Sequence, residues 1–336
     1  TDADNGGHTV TITGPGQDLL TISGNNAGRV FSITSNANAA ISAMIIRDGN
    51  GVGSSNTSIG GAFFTGAATS VSFDDISVTD SSGLRGGGIA SSALNVSLSN
   101  STISNNSTSN AGAEAGGIYF VSTGVPGAVA NITNTEISSN TSTRDTAGGI
   151  VFYPTATISN VTVNLNVRNG PANGPGIVGG LRMVSVNGLI TDSTITNNST
   201  WGEGGGLHLA PSDGTIIVQR STIANNQVIN QGAANGCGIY NETDVGKVVI
   251  RDSLVSGNQC LFIGKSGVGQ GRGAGIYNAT DTAFVVNTTI TGNTTSSGVQ
   301  GDGTGGGIHN LRDMWVINST ISNNSTSNAG AEAGGI

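Results

Sequence analysis

Three histidines, two cysteines and twenty acidic residues carry most of the reactive chemistry in this 336-residue chain. Two of the histidines, His208 and His309, occupy one slot: each follows an aliphatic residue preceded by glycines, in GGGLH and GGGIH. Tyr119, Tyr240, Tyr277 and Arg182 stand in the same slot of other repeats. If the aliphatic residue points inward, the slot points outward. Rings repeated along an outer face give flat contact area at low entropy cost, which suits a glycan or a protein partner. The competing reading is strand propensity, with stacked rings supporting a β-ladder. His208 and His309 lie three repeat units apart, so they do not predict a metal site, and His8 has no companion.

The carboxylates do not form an evident constellation. Hydrolysis of a glycosidic bond needs two carboxyl groups placed across it, and elimination needs a cation site beside a base. Asp192 and Asp252 share a repeat position, but Arg220 occupies it in the unit between them. Asp74 and Asp75 are neighbours, and strand alternation would send them to opposite faces. Glu114 and Glu332 fall in two copies of one loop. No catalytic residue, metal ligand or cofactor is assigned, and the chain is expected not to be an enzyme. Cys237 and Cys260 are read either as a disulfide or as two small buried side chains.

These residues sit in a periodic frame. The aliphatic anchor recurs at Ile89, Ile118, Ile150, Leu181, Leu207, Ile239, Ile276, Ile308 and Ile336, about every 31 residues. A second hydrophobe recurs in STISNN-like phrases, at Ile103, Ile137, Val163, Ile195, Ile223, Val255, Ile290 and Ile321. Three residues after each comes an asparagine: Asn106, Asn140, Asn166, Asn198, Asn226, Asn258, Asn293 and Asn324. Five residues before each is an aliphatic residue, and three before is Asn or Asp, with Arg220 the exception. Units of this length predict an all-β parallel β-helix, right-handed, of about eleven coils with three short strands each. Aliphatic columns would fill its core, and in-register asparagines would hydrogen-bond up the stack. The slot two residues after the anchor runs from Phe120, Phe152, Met183 and Leu209 to Asn241, Asn278 and Asn310, which predicts core packing passing into a second ladder.

Composition agrees with a solenoid. Gly accounts for 55 residues, hydrophobic residues for 35% and charged residues for only 10%. A mean hydropathy of +0.01 supplies too much apolar material for a disordered chain. The net charge of −8 disfavours a nucleic-acid partner. No apolar run reaches the length of a membrane-spanning helix. Residues 1–336 read as one solenoid segment, with 1–90 less regular than 91–336.

The phrases GGGIHN (Gly305–Asn310), GAGIYN (Gly273–Asn278) and NSTISNN (Asn318–Asn324) resemble repeats of bacterial surface β-helix proteins. The broad class is the pectate-lyase-like right-handed parallel β-helix. Within it, the chain is similar to polymorphic-outer-membrane-protein-like and related large secreted repeat proteins. Val10–Thr34 resembles their first coils, while the Cys-Ser-Leu-Arg-Glu-Ala tag usual in that family is absent. The resemblance implies a secreted or cell-surface protein. It does not choose a function, because the fold carries lyases, hydrolases, adhesins and structural shafts alike.

Many Asn-X-Ser/Thr sequons occur, at Asn100, Asn106 and Asn131 among others, and an inward asparagine could not carry a glycan. The eighteen residues Ser101–Ile118 recur letter for letter as Ser319–Ile336. With no start methionine and a last residue on an anchor, the segment is expected to belong to something longer, by continuation or by end-to-end or lateral self-association. The leading expectation is an extracellular structural rod: an adhesin shaft or a fibre. The alternative is a glycan- or partner-binding module using Tyr119, Arg182, His208, Tyr240, Tyr277 and His309, or the loops Gln259–Arg272 and Thr294–Thr304. A polysaccharide lyase or hydrolase is a third reading.

Overall fold

Alternating Thr–Ile–Ser phrases put one aliphatic side chain inward between two hydroxyl side chains facing out. Stacking such phrases in register builds one buried column per aliphatic position. The computed structural model has this arrangement. It describes residues 9–33, 37–51, 59–108, 114–122, 124–170, 178–230, 234–242, 245–262, 271–296, 303–327 and 333–336. Among the described residues all regular structure is β, and successive coils pair in parallel. The chain is a parallel β-solenoid of about nine turns, each of roughly 32 residues.

That count is below the eleven read from the sequence. The side of the solenoid that follows the ladder asparagines has nine strands, beginning at Ser82–Gly83 and ending at Ser325–Ser327. Before Ser82 the chain winds through long strands, Asn38–Arg47 and Ser70–Thr79, and among the described residues that side is reduced to a single bridge between Asn50 and Ser82. A full coil also holds four strands rather than three: Ile239–Asn241, Lys247–Arg251, Leu254–Ser256 and Gln259–Phe262 in one example. The fourth lies after the ladder asparagine, in what the sequence reads as loop.

Three aliphatic columns form the core. Ile89, Ile118, Leu181, Leu207, Ile239, Ile276 and Ile308 are buried, as are Leu98, Ile132, Ile158, Ile190, Val218, Ile250 and Val285. The third column runs Ile103, Ile137, Val163, Ile195, Ile223, Val255 and Ile290. Each such side chain contributes about 1.5–3 kcal/mol on burial.

Beside the third column runs the asparagine ladder, continuous from Asn106 to Asn324. Asn140 is typical. Its Nδ2 donates to the Ile103 carbonyl (2.9 Å) and to Asn166 Oδ1 (3.0 Å), and its backbone N–H donates to that same Oδ1 (3.0 Å). The pattern repeats through Asn166, Asn198, Asn226, Asn258 and Asn293. Each side chain therefore satisfies a carbonyl of the preceding coil and a backbone N–H where the chain bends, the groups that would otherwise be buried without partners.

Two corners use left-handed backbone. At the first, Asn100, Asn134, Asn160, Asp192, Arg220, Asp252, Asn287 and Asn318 have φ between 45° and 53°. Asn and Asp tolerate that conformation better than other side chains. They also form an outer ridge: Asn134 Nδ2 donates to Asn100 Oδ1 (3.1 Å), and Asn160 Nδ2 to Asn134 Oδ1 (2.9 Å). Arg220 fits this ridge by charge, donating from Nε to Asp192 Oδ1 at 2.7 Å. The same geometry corrects the reading of Asp74 and Asp75. Asp75 is left-handed (φ 50°), alternation breaks there, and both carboxylates face solvent.

The second corner precedes the ladder: Asn105, Ser139, Leu165, Asn197, Asn225, Gly257, Gly292 and Asn323. Leu165 is out of place, left-handed at φ 55° and 52% exposed. Leu165→Asn is expected to stabilise the protein by about 1 kcal/mol. Thermal melting of the two proteins checks this, and an unchanged or lower midpoint would refute it.

One anchor is displaced by a residue. Ile118 pairs with Gly149, not Ile150, and Gly149 pairs with Leu181. A slip of one residue exchanges the faces of the whole strand. Ile150 therefore joins the tyrosine slot, Val151 faces the core and Phe152 turns outward at 36% exposure. The slip also buries Tyr153, whose hydroxyl donates to the Ala93 carbonyl at 2.7 Å. The second ladder expected at Asn241, Asn278 and Asn310 has one rung, Asn278 Nδ2 to Asn310 Oδ1 at 2.8 Å. The Asn241 amide and Asn278 Oδ1 are buried without a protein partner.

Candidate functional site

The slot after the anchor does face away from the core, and parallel pairing stacks it in register: Tyr119, Ile150, Arg182, His208, Tyr240, Tyr277, His309. His208 and Tyr240 meet edge-on at 5.1 Å between ring centroids. Tyr240 stacks on Tyr277 at 5.2 Å, and Tyr277 on His309 at 5.4 Å. The exposure expected for this column is not found. His208, Tyr240 and Tyr277 are buried, while Tyr119, Arg182 and His309 are half-buried.

The cover comes from a second column that the sequence reading missed. Three residues before most anchors, though not before Gly149 or Leu181, the backbone turns left-handed, at Gly86, Ala115, Gly204, Gly236, Gly273 and Gly305 among them. At Gly236 a Cβ would lie 2.7 Å from the Tyr240 Cα, so only glycine lets the chain pass this close to the stack. The turn sets the residue four before the anchor beside the rings, at Arg85, Glu114, Glu203, Asn235, Arg272 and Thr304, and Asp145 holds the same place before Gly149 without it. Arg85 pairs with Glu114 (3.3 Å) and lies over the Tyr119 ring at 5.8 Å. Arg182 pairs with Asp145 at 3.6 Å. Asn235 Nδ2 donates to Glu203 Oε1 at 2.7 Å, and Thr304 Oγ1 bonds His309 Nδ1 at 2.9 Å. Counting four residues back from each anchor would have exposed this polar column. The slip at Gly149 hides Asp145 from that count.

Burial dominates the electrostatics of the stripe. It raises the pKa values of the Asp145 and Glu203 carboxyls from their ordinary values. It raises the Tyr240 hydroxyl too, with Glu203 and Glu242 adding to the effect. His208 is pushed down to about 3, first by burial and then by Arg182, and neither ring nitrogen has a hydrogen-bond partner. Its folded value thus lies below the unfolded one, so its contribution to stability is complete above about pH 6.5 and is lost as pH falls toward 3. By pH 5 the loss is about 2 kcal/mol. His208→Phe keeps a ring in the stack and removes the titration. Melting at pH 7.5 and pH 5 should show a smaller drop for the variant, and equal drops would overturn the assignment.

The geometry brings Glu203, Glu242, Tyr240 and Asn235 together, with Tyr240 and Asn235 buried, Glu203 half-buried and Glu242 exposed. Among the described residues no three His, Cys, Asp or Glu side chains group as a metal site. Asp192 and Asp252 lie on the outer ridge, remote from this stripe in the coil. His8 and Glu332 fall outside the described residues, as do parts of the two long loops (263–270 and 297–302).

Cys237 and Cys260 are bonded, with their Cα atoms 5.5 Å apart. They close 23 residues of one coil and pack with Val228, Ala234 and Ala274. A loop of that size corresponds to about 3 kcal/mol in the chain-entropy account.

Further clefts lie elsewhere among the described residues. One of about 440 Å³ follows from the slip at Gly149 and is lined by Phe152, Tyr153, Pro154, Val125, Pro126 and Val186. Another of about 460 Å³ is polar and borders the outer ridge, with Gln17, Asn100, Asn134, Asn160, Glu136 and Thr162 on its walls. Comparison with known proteins finds no matching family model, no matching curated protein and no matching solved structure.

Proposed function

We propose that this chain is an extracellular structural element, a stiff solenoid shaft of a surface adhesin or fibre. The observation that carries the reading is the amide ladder. It ties each coil to the next through side-chain and backbone hydrogen bonds from Asn106 to Asn324 without a break. Such a ladder adds resistance to separation of coils along the axis. It does so at a position where a ligand could not reach it. The bonded Cys237–Cys260 pair supports the extracellular part, because oxidising compartments sustain disulfides.

Pulling single molecules along the axis tests the reading. A shaft should yield coil by coil, each step releasing roughly 32 residues, or about 110 Å of extended chain. Collapse of the whole solenoid in one low-force event would sink it.

A second reading, glycan contact, is favoured by the polar cleft rather than by the tyrosine column. Its amide and hydroxyl walls suit neutral sugar hydroxyls. Asn134→Leu should then abolish glycan retention while Tyr277→Ala, within the covered stack, should not. The reverse pattern would return the reading to the rings.

A further inference from the structure

The Asn-X-Ser/Thr sequons divide into two sets by the direction of the asparagine. Asn100, Asn160, Asn287 and Asn318 stand on the exposed outer ridge, and Asn95 and Asn131 face outward from the neighbouring strands. Asn106, Asn140, Asn198 and Asn293 belong to the ladder, and all four are 0% exposed. Asn241 and Asn278 are sequon asparagines of the inner column, equally buried.

The two sets differ in what their Nδ2 hydrogens do. On the ridge, Nδ2 of Asn100, Asn160 and Asn287 each makes one side-chain bond, to Asp74, Asn134 and Asp252. A glycosylated amide keeps one N–H, so this bond can survive. In the ladder both hydrogens are committed. Asn106 Nδ2 donates to the Val78 carbonyl (2.9 Å) and to Asn140 Oδ1 (3.1 Å), and Asn198 Nδ2 to the Val163 carbonyl and Asn226 Oδ1 (2.9 Å each). A glycan would remove one of these hydrogens and place a sugar where the glycine before the anchor of the same coil packs. For Asn198 that neighbour is Gly180, whose Cβ, if present, would already be 3.1 Å from Nδ2.

We propose that N-glycosylation of the ladder sequons and this fold exclude one another, so that only the outward sequons can carry a glycan in the folded protein. The reaction concerned is transfer of an oligosaccharide from a lipid pyrophosphate carrier. The bond from its first sugar carbon to the carrier phosphate breaks, one from that carbon to Asn Nδ2 forms, and the amide proton leaves with the pyrophosphate. Transfer to the nascent chain precedes folding, when inward and outward sequons are equally accessible. A chain with this many inward sequons is therefore built for a route in which sequon-directed transfer does not act on it.

The test is secretion of the full chain from a cell that performs this transfer, with and without an inhibitor of lipid-linked oligosaccharide synthesis. A sequon-free reporter controls for stress on the cell. Folded, protease-resistant protein should rise roughly tenfold or more with the inhibitor. Enzymatic deglycosylation in heavy-oxygen water, followed by peptide mass spectrometry, should place any glycan in the folded fraction only at outward sequons. Removing the ridge sequons together (Thr102→Val, Thr162→Val, Thr289→Val, Thr320→Val) should not rescue folding. Folded protein carrying a glycan at Asn106, Asn140, Asn198 or Asn293 would overturn the proposal, as would equal folded yield with and without the inhibitor or rescue by the ridge variant.

Discussion

Asn166→Ala should destabilise the solenoid by about 3–5 kcal/mol, far more than the removal of one surface amide. Asn166 is the clean choice because its position is not a sequon. Its Nδ2 donates to the Ile137 carbonyl (2.9 Å) and to Asn198 Oδ1 (2.9 Å). Its Oδ1 accepts from the backbone N–H and the Nδ2 of Asn140, both at 3.0 Å. Truncation leaves a buried carbonyl and two buried N–H groups with nothing to bond, and each orphan costs about 1–3 kcal/mol. Packing supplies no compensation, since alanine also opens a cavity against Gly148. Asn166→Asp should be no milder at neutral pH, because it keeps the acceptor, loses the donors and buries a charge. Repeat arrays do not always unfold in one step. The informative readout is therefore amide hydrogen exchange, in which Asn140 and its neighbours should lose protection before distant coils do. Uniform protection in both variants would mean that the ladder does not hold the coils.

Gly180→Ala is the second large expected effect, and it strikes the same ladder from the other side. A Cβ at Gly180 would lie 2.3 Å from the Gly206 carbonyl oxygen and 3.1 Å from Asn198 Nδ2. The first neighbour is backbone, so relief requires separating two coils that are paired by hydrogen bonds on both sides. Overpacking of a tight core typically costs about 1–3 kcal/mol, and a backbone clash belongs at or above the top of that range. The variant should melt well below the parent or fail to accumulate as a soluble protein. A variant with an unchanged melting midpoint would show that the glycine is not required by the approach of the ladder.

Both effects rest on features that can be read in the letters. The hydrophobe-x-x-Asn spacing repeats without exception, and a single buried column with a fixed hydrogen-bonding partner demands that regularity. Arg220 looked anomalous in sequence, and its place became clear only with Asp192 2.7 Å away. The displaced anchor at Gly149 was not legible, because AGGI at Ala115–Ile118 and at Ala147–Ile150 are identical in local sequence. What separates them lies downstream, in the burial of Val151 and Tyr153. The cover over the tyrosine stack was missed for a related reason. Alternation states which way a side chain leaves a strand, and says nothing of what a left-handed turn in the same coil folds across it. The fourth strand of each coil escaped notice because two residues such as Ser107–Thr108 carry no period of their own.

Electron microscopy of the protein in its native setting, without denaturing extraction, tests the structural role most directly. The account predicts elongated extracellular material, either filaments or discrete rods on cells, with a layer spacing of about 4.8 Å along the long axis. Protein found dispersed inside cells, with no elongated assembly and no axial repeat, would contradict it.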